Sequence, residues 1–288
     1  MGVFMNREPG PPNSLKAVST ALCAALYAIG SYATSYIQSP WGMGQFRPAV
    51  VIPALFATIF GPWVGGIGAA IGTLICDSVK HGGLYMGSLL AAVPGNFIGF
   101  FLFGHIVRRG FSWRRFIAAS NASLAIGNLI VAFLYVFAYK ALYAQALPIS
   151  MEALTLLSIG LTIFWFITML PFVLLIAPPI IRAVAISFPS IVPEGMRAHS
   201  LRGEIPRREF GLALAIPGIA MLLMGFSTST AFGRYLATNF SKTFTPMIME
   251  LLQIMLYGSG IALSALGFAV LGAVPIGRRR ERGFKAPS

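Results

Sequence analysis

The sequence is short of charge. Only 10% of its 288 residues are Asp, Glu, Lys or Arg, and only eight are acidic, whereas a soluble domain carries roughly a quarter charged residues. With 57% of the chain apolar, a water-soluble fold is excluded. Cysteine is nearly absent: Cys23 and Cys76 both lie in apolar runs and offer neither a disulfide framework nor a thiolate metal cluster. The three histidines, His81, His105 and His199, are scattered along the chain, so no metal site is expected. HExxH, GxSxG and the phosphate-binding P-loop are missing, and no paired acids sit inside one apolar run. No enzymatic activity and no cofactor are therefore expected. The first apolar run is too long for a cleaved leader and ends without a small-residue cleavage pattern, so no signal peptide is expected.

What the chain has in abundance is apolar runs of about 20 residues, distributed over its whole length at a mean hydropathy of +0.78. The fold class expected is all-α, a polytopic membrane helical bundle. Eight apolar segments are read, at about 17–37, 48–60, 63–77, 84–107, 116–142, 153–181, 210–232 and 247–274. The second and third come from one run that is too long for a single span, and Gly61-Pro62 cuts it. Pro171 and the pair Pro178-Pro179 are expected to bend or end the sixth. The division expected is a six-span core over 1–187, a cytoplasmic linker over 188–209, a two-span hairpin over 210–276 and a basic cytoplasmic tail over 277–288.

An even count puts both termini on one side. With that side cytoplasmic, all but five of the 21 Lys and Arg fall inside, the exceptions being Arg47, Lys80, Lys140, Arg234 and Lys242. This positive-inside asymmetry accounts for most of the net charge of +13, so the basic tail implies contact with anionic lipid in the cell membrane and no nucleic-acid partner.

Small residues recur at helical spacing. Gly61, Gly65, Gly68, Ala69 and Gly72 stripe the third segment, and Gly95 and Gly99 the fourth. Such stripes let backbones approach closely in lipid, where no hydrophobic drive brings helices together. The first segment carries alanines instead, at Ala17, Ala21, Ala24, Ala25 and Ala28.

Polar groups inside apolar runs need partners and tend to mark function. Arg47 opens the second segment and Asp77 closes the third on the same side, so the two can meet near the outer surface. Asn96 and Asn128 fall near mid-span, where a buried amide either bridges helices or meets a ligand. Trp41, Tyr32, Tyr36, Tyr85, Tyr135, Tyr139 and Tyr143 gather toward the outer end, as an interfacial belt or as stacking groups. No carboxylate sits deep in a span, since Asp77, Glu152 and Glu250 lie near span ends, and no inverted repeat is visible. Ion-coupled secondary transport without ATPases is the alternative reading, and a ligand-free scaffold a third.

The run FRPAVVIPALFATIFGPWVGGIGAAIGTLICDSV, Phe46 to Val79, followed by GNFIGFFLFG, Gly95 to Gly104, resembles the substrate-binding S components of energy-coupling factor (ECF) transporters. The resemblance lies in the Arg-Pro-Ala start, the central Gly-Pro and the Asp closing the third helix. The stretch TALCAALYAIG, Thr20 to Gly30, is similar to the family's AxxxA helix. The resemblance implies a six-helix bundle that binds a vitamin-like micronutrient, such as a flavin, a thiamine-related compound or a queuosine precursor, in a cavity open to the outside. It implies as partners a transmembrane coupling subunit and two cytoplasmic ATPases, which supply the energy this chain has no motif to harvest. Carried over to this sequence, Ala21, Ala24, Ala25 and Ala28 form the coupling face, and Trp41, Gln45, Arg47 and Asp77 stand near the cavity mouth. Tyr85, Asn96, Asn128 and Tyr139 are placed in the wall by depth, not by a matched motif. The last two segments lie beyond the family's six helices, and no motif in them states a role.

Overall fold

A computed structural model describes residues 12–147, 149–201, 204–231 and 246–272, with side chains from 249 onward in the last stretch. The expected basic tail, 277–288, lies outside the described residues, as do Arg234 and Lys242. Those described are mostly helical and carry no β-strand beyond a single Gln38–Gln45 bridge. In order they form α1 (Asn13–Ala33), a 3-10 turn (Pro48–Val50) leading into α2 (Val51–Phe60), and α3 (Pro62–His81). A π-helical stretch, Ser88–Ala92, then opens α4 (Val93–Arg108), and α5 (Trp113–Phe133) continues into a second, Leu134–Tyr143. The remainder is α6 (Met151–Ser187), the short α7 (Glu194–Arg197), α8 (Arg207–Ser229) and α9 (Pro246–Gly272).

Seven of these helical segments are long and apolar enough to cross a bilayer. The eighth, Pro48–Phe60, is a shorter apolar helix. It rises only roughly 20 Å, against a hydrocarbon core of about 30 Å. It reaches its place by folding back: Gly61 takes φ of 107°, which favours glycine, and Pro62 starts the next helix. A Cβ on Gly65 would lie 2.3 Å from the Cβ of Ala57, so α2 and α3 pack backbone to backbone beyond the break. The turn sits at the end of the bundle that carries Arg108, whose guanidinium a Cβ on Gly61 would meet at 2.8 Å. Arg47 and Asp77 are thereby returned together to the opposite end.

The glycine stripe of α3 continues against α1. A Cβ on Gly68 would strike Cys23, and one on Gly72 would lie 2.7 Å from the Ala24 carbonyl oxygen. On the other side α4 packs against α5 through Gly95, Gly99 and Gly127. Pro94 explains the π-helical start of α4, because it has no N–H to give the carbonyl four residues back and the ladder slips by one residue. The prolines of α6 neither end nor divide it. The helix runs 37 residues through Pro171, Pro178 and Pro179, six residues beyond the expected end at 181. Membrane helices tolerate proline where neighbouring helices and local adjustment re-satisfy the freed backbone groups, and Pro171 and Pro178 are buried.

The connection from α6 to α8 is tied to the bundle. Trp113 donates to the Ser200 carbonyl at 2.9 Å and Arg182 to that of Arg197 at 2.8 Å. The Ser200 amide and the His199 ring hold the Glu204 carboxyl below its ordinary range. The two C-terminal helices form an antiparallel pair, α8 against α9, that leans on α6 and touches α5.

Candidate functional site

The polar end of the bundle is organised by the loop between α1 and α2. Phe46 donates its amide to Ile37 at 2.7 Å, Gly42 to Ser39 at 2.9 Å, and the Ser39 hydroxyl bonds the Met43 carbonyl, so the loop closes on itself. Two tryptophan–glycine contacts seat it on α6. The Trp41 ring lies over Gly160, and Trp165 lies against Gly44, whose φ of 72° brings its backbone within reach. The Trp165 indole also donates to the Gln45 carbonyl at 3.1 Å.

Beneath this loop is a cavity of about 270 Å³, near the lower end of the range for small-molecule sites. Its first wall is a hydrogen-bonded chain. Arg47 donates to Asp77 Oδ1 at 2.8 Å and to the Thr73 hydroxyl. Gln45 donates to the same carboxylate oxygen at 3.4 Å, and Lys80 donates to Gln45 Oε1 at 2.9 Å and to the Ser35 carbonyl at 3.0 Å. The order is self-consistent, because a lysine can only donate and so turns the Gln45 amide nitrogen toward Asp77. The Arg47 and Asp77 side chains are 11% and 13% exposed, so each charge depends on the other for compensation. Asp77 Oδ2 accepts no hydrogen bond from any described residue.

The second wall is aromatic. His81 and Tyr85 stack at 3.7 Å with planes 4° apart, and the Tyr85 and Tyr135 hydroxyls meet at 3.1 Å. His81 Nδ1 lies 2.7 Å from the Asp77 carbonyl, which can only accept, so that nitrogen carries the proton. Deeper, Asn96 donates to the Ala92 carbonyl at 2.8 Å and Asn128 contacts the Met169 sulfur at 3.7 Å. Both amide nitrogens are thus turned to protein, leaving their carbonyl oxygens as acceptors. The hydroxyl of Ser88, 1% exposed, lines the cavity without a partner among the described residues.

Of the residues singled out from sequence, Gln45, Arg47, Asp77, Tyr85, Asn96, Asn128 and Tyr135 line this one cavity. Trp41 and Tyr139 stand behind it, Trp41 as the anchor of the loop and Tyr139 edge-on to Tyr85 at 5.4 Å. Sequence reasoning missed Lys80, His81, Ser88, Lys140, Trp165 and Met169 as lining groups. Lys80 and His81 carried a usable signal, being three and four residues beyond Asp77 on one helical face. Trp165 and Met169 carried none, since both read as apolar residues of a buried helix.

The four alanines of α1 straddle the edge of its buried face. Ala24, against Gly72 of α3, and Ala28 are buried, while Ala21 and Ala25 are exposed beside Leu22, Leu26 and Ile29.

The family of ECF-type riboflavin transporter S components matches residues 13–185, the stretch from α1 almost to the end of α6. The chain belongs to that family. It is a multi-pass membrane protein and the substrate-binding subunit of an ECF transporter, in a family of transport components and not of enzymes. No curated protein and no solved structure matches the chain. The S-component match holds the whole loop-capped cavity and leaves α8 and α9 outside it.

Proposed function

We propose that this S component captures a flavin, riboflavin or a close derivative, from the outer side of the cell membrane and delivers it inward as part of an ATP-driven importer. The observation carrying this reading is the pairing, within one cavity, of an aromatic wall at His81, Tyr85 and Tyr135 with amide and hydroxyl groups whose hydrogen-bonding capacity is unspent. A flat tricycle suits the aromatic wall. Its imide N–H needs an acceptor, which the Asn96 or Asn128 carbonyl supplies, and its ring oxygens and polyol need donors of the Ser88, Tyr85 and Arg47 kind. Trp165 and Met169 complete an apolar boundary. Trp41 fixes the loop over the site, and Tyr139 steadies Tyr85 from behind.

Orientation rests on charge. Arg108, Arg109, Arg114 and Arg115 cluster at the turn where α4 ends and α5 begins, at the end away from the cavity, which supports cytoplasmic termini and a cavity facing outward. With no nucleotide motif of its own, the subunit relies on a transmembrane coupling subunit and two cytoplasmic ATPases. Ala21 and Ala25, small and exposed on α1, offer the close approach such a partner needs, and Ala24 and Ala28, on the adjoining buried flank, hold α1 on the bundle.

The test is mass spectrometry of small molecules released from protein purified in the presence of riboflavin, beside an Arg47→Ala, Asn96→Ala variant. Near-stoichiometric flavin in the parent and its loss from the variant are expected. A parent that retains no flavin at micromolar free ligand overturns the reading. For the coupling face, Ala21→Leu with Ala25→Leu is expected to keep flavin binding and lose co-purification with the coupling subunit, and intact association counts against it.

A further inference from the structure

The cavity is lined by Arg47, Lys80, Lys140 and Asp77, with His81 the one other titratable group that is not a tyrosine. Three cations therefore face one carboxylate. Arg47 is paired with Asp77, and Lys80 is hydrogen-bonded by two neutral acceptors. Lys140 has neither a carboxylate nor a hydrogen-bond acceptor among the described residues; its ammonium stands 5.7 Å from the ring centroids of both Tyr135 and Tyr139. The backbone puts it there. In an α-helix, residues five apart point about 140° away from one another, at 100° per residue. Leu134–Tyr143 is π-helical, with its turns closed five residues apart, so Lys140 comes into line with Tyr135 on the cavity face.

Lys140 lies within three residues of the outer end of its helix, half-buried on a cavity wall and without an acceptor, and a charge so placed marks a substrate path. From this geometry we infer that Lys140, seconded by Lys80, recognises an anionic oxygen on the ligand, so that the preferred substrate is a flavin bearing a phosphomonoester and not the neutral vitamin. The inference rests on the flavin reading above and specifies its chemical class. Lys140 is a specificity residue: the aromatic and amide walls take the ring system that both ligands share, and the ammonium reads the group in which they differ. The arrangement also explains the surplus of positive charge, which a doubly charged phosphate offsets.

The experiment is titration of flavin fluorescence with the full-length protein in neutral detergent, comparing riboflavin with riboflavin 5′-phosphate at low and high salt. The phosphate ester is expected to bind about tenfold tighter at low salt, with the advantage shrinking as salt screens a partly exposed pair. In Lys140→Gln the ratio of the two affinities is expected to fall to about one, and in Lys140→Arg to persist. Equal affinities in the parent, or an unchanged ratio in Lys140→Gln, overturn the inference while leaving flavin capture standing. Binding of neither ligand removes both.

Phosphate also reaches a lysine from lipid headgroups, so the titration is repeated in nanodiscs of phosphatidylcholine and of phosphatidylglycerol. A preference that holds in both assigns the anion to the soluble ligand. A preference lost in phosphatidylglycerol alone assigns Lys140 to lipid and overturns the proposal.

Discussion

The matched core and the C-terminal hairpin use the same device to bring helices together in lipid, and only one of them builds a site above it. In the core, Gly65, Gly68 and Gly72 of α3 admit α2 and α1. In the hairpin, Gly211, Gly218 and Gly225 of α8, seven residues apart, meet Gly267, Gly260 and Tyr257 of α9. Both contacts rest on backbone approach, since apolar side chains gain little by leaving lipid for one another. The difference lies in the polar residues. Those at the top of the hairpin satisfy each other: Gln253 donates to Thr228 and Ser229, and the Ser229 and Tyr257 hydroxyls meet at 3.1 Å, while the buried Ser264 hydroxyl, against Gly218, has no partner and opens on no polar cavity among the described residues. Those of the core line a cavity and keep capacity to spare, at Asp77 Oδ2, the two asparagine carbonyls and Ser88. The void between core and hairpin, about 230 Å³, is lined almost wholly by apolar side chains. Glycine stripes therefore report packing in both regions, and several unspent polar groups converging on one cavity report the site.

The largest expected effect comes from breaking the Arg47–Asp77 pair. Arg47→Ala strands a nearly buried carboxylate and is expected to cost roughly 3 kcal/mol of stability, with ligand affinity falling at least about a hundredfold. Thermal denaturation in detergent and ligand titration check both numbers. Affinity within about threefold of the parent would detach the network from the site and erase the contrast with the hairpin. Gly44→Ala is expected to do less. It forces a Cβ onto a backbone with φ of 72° and into the Trp165 ring at 2.3 Å, so the loop must shift. Left-handed strain alone is about 1–2 kcal/mol, and about a tenfold loss of affinity with a shifted tryptophan emission is expected.

Much of this was legible beforehand, for reasons that can be located. Apolar runs report helices in lipid because every backbone group must be satisfied within its own segment. The Gly61-Pro62 break was readable because both residues act locally. It placed Arg47 and Asp77 at one end, and their contact followed. The extent of α6 was not readable, since proline ends helices in water, while membrane helices tolerate it where packing re-satisfies the freed backbone groups, and Pro171 and Pro178 are buried in the bundle. Nor was the division of the α1 alanines. Ala21 and Ala24 are neighbours only about 60° apart around the helix, and where the burial boundary falls between them depends on α3, a partner remote in sequence. Lys140 was assigned to the outer side by charge sorting alone; its place on the cavity wall depends on a π-helical register that no residue pattern announces.

The smallest expected effect on binding is the sharpest test of the contrast. Gly218→Leu pushes a side chain into Ser264, whose backbone nitrogen would lie 2.7 Å from the new Cβ, and pries α8 from α9. The hairpin is expected to loosen, read as faster amide hydrogen exchange in α8 and α9, with ligand affinity changed by no more than about threefold. That limit follows from how little the hairpin reaches the site. Its link to the capping loop runs through Phe46, which packs edge-on to Phe172 at 5.4 Å and shares the apolar void with Met221 and Met255. A loosely filled apolar contact transmits little strain to Gln45 and Arg47 on either side of Phe46, because a shifted hairpin can close the void before it displaces the ring. A loss near that of Arg47→Ala would mean that Phe46 is held in place by the hairpin, and the six-helix core would then not be a complete binding unit.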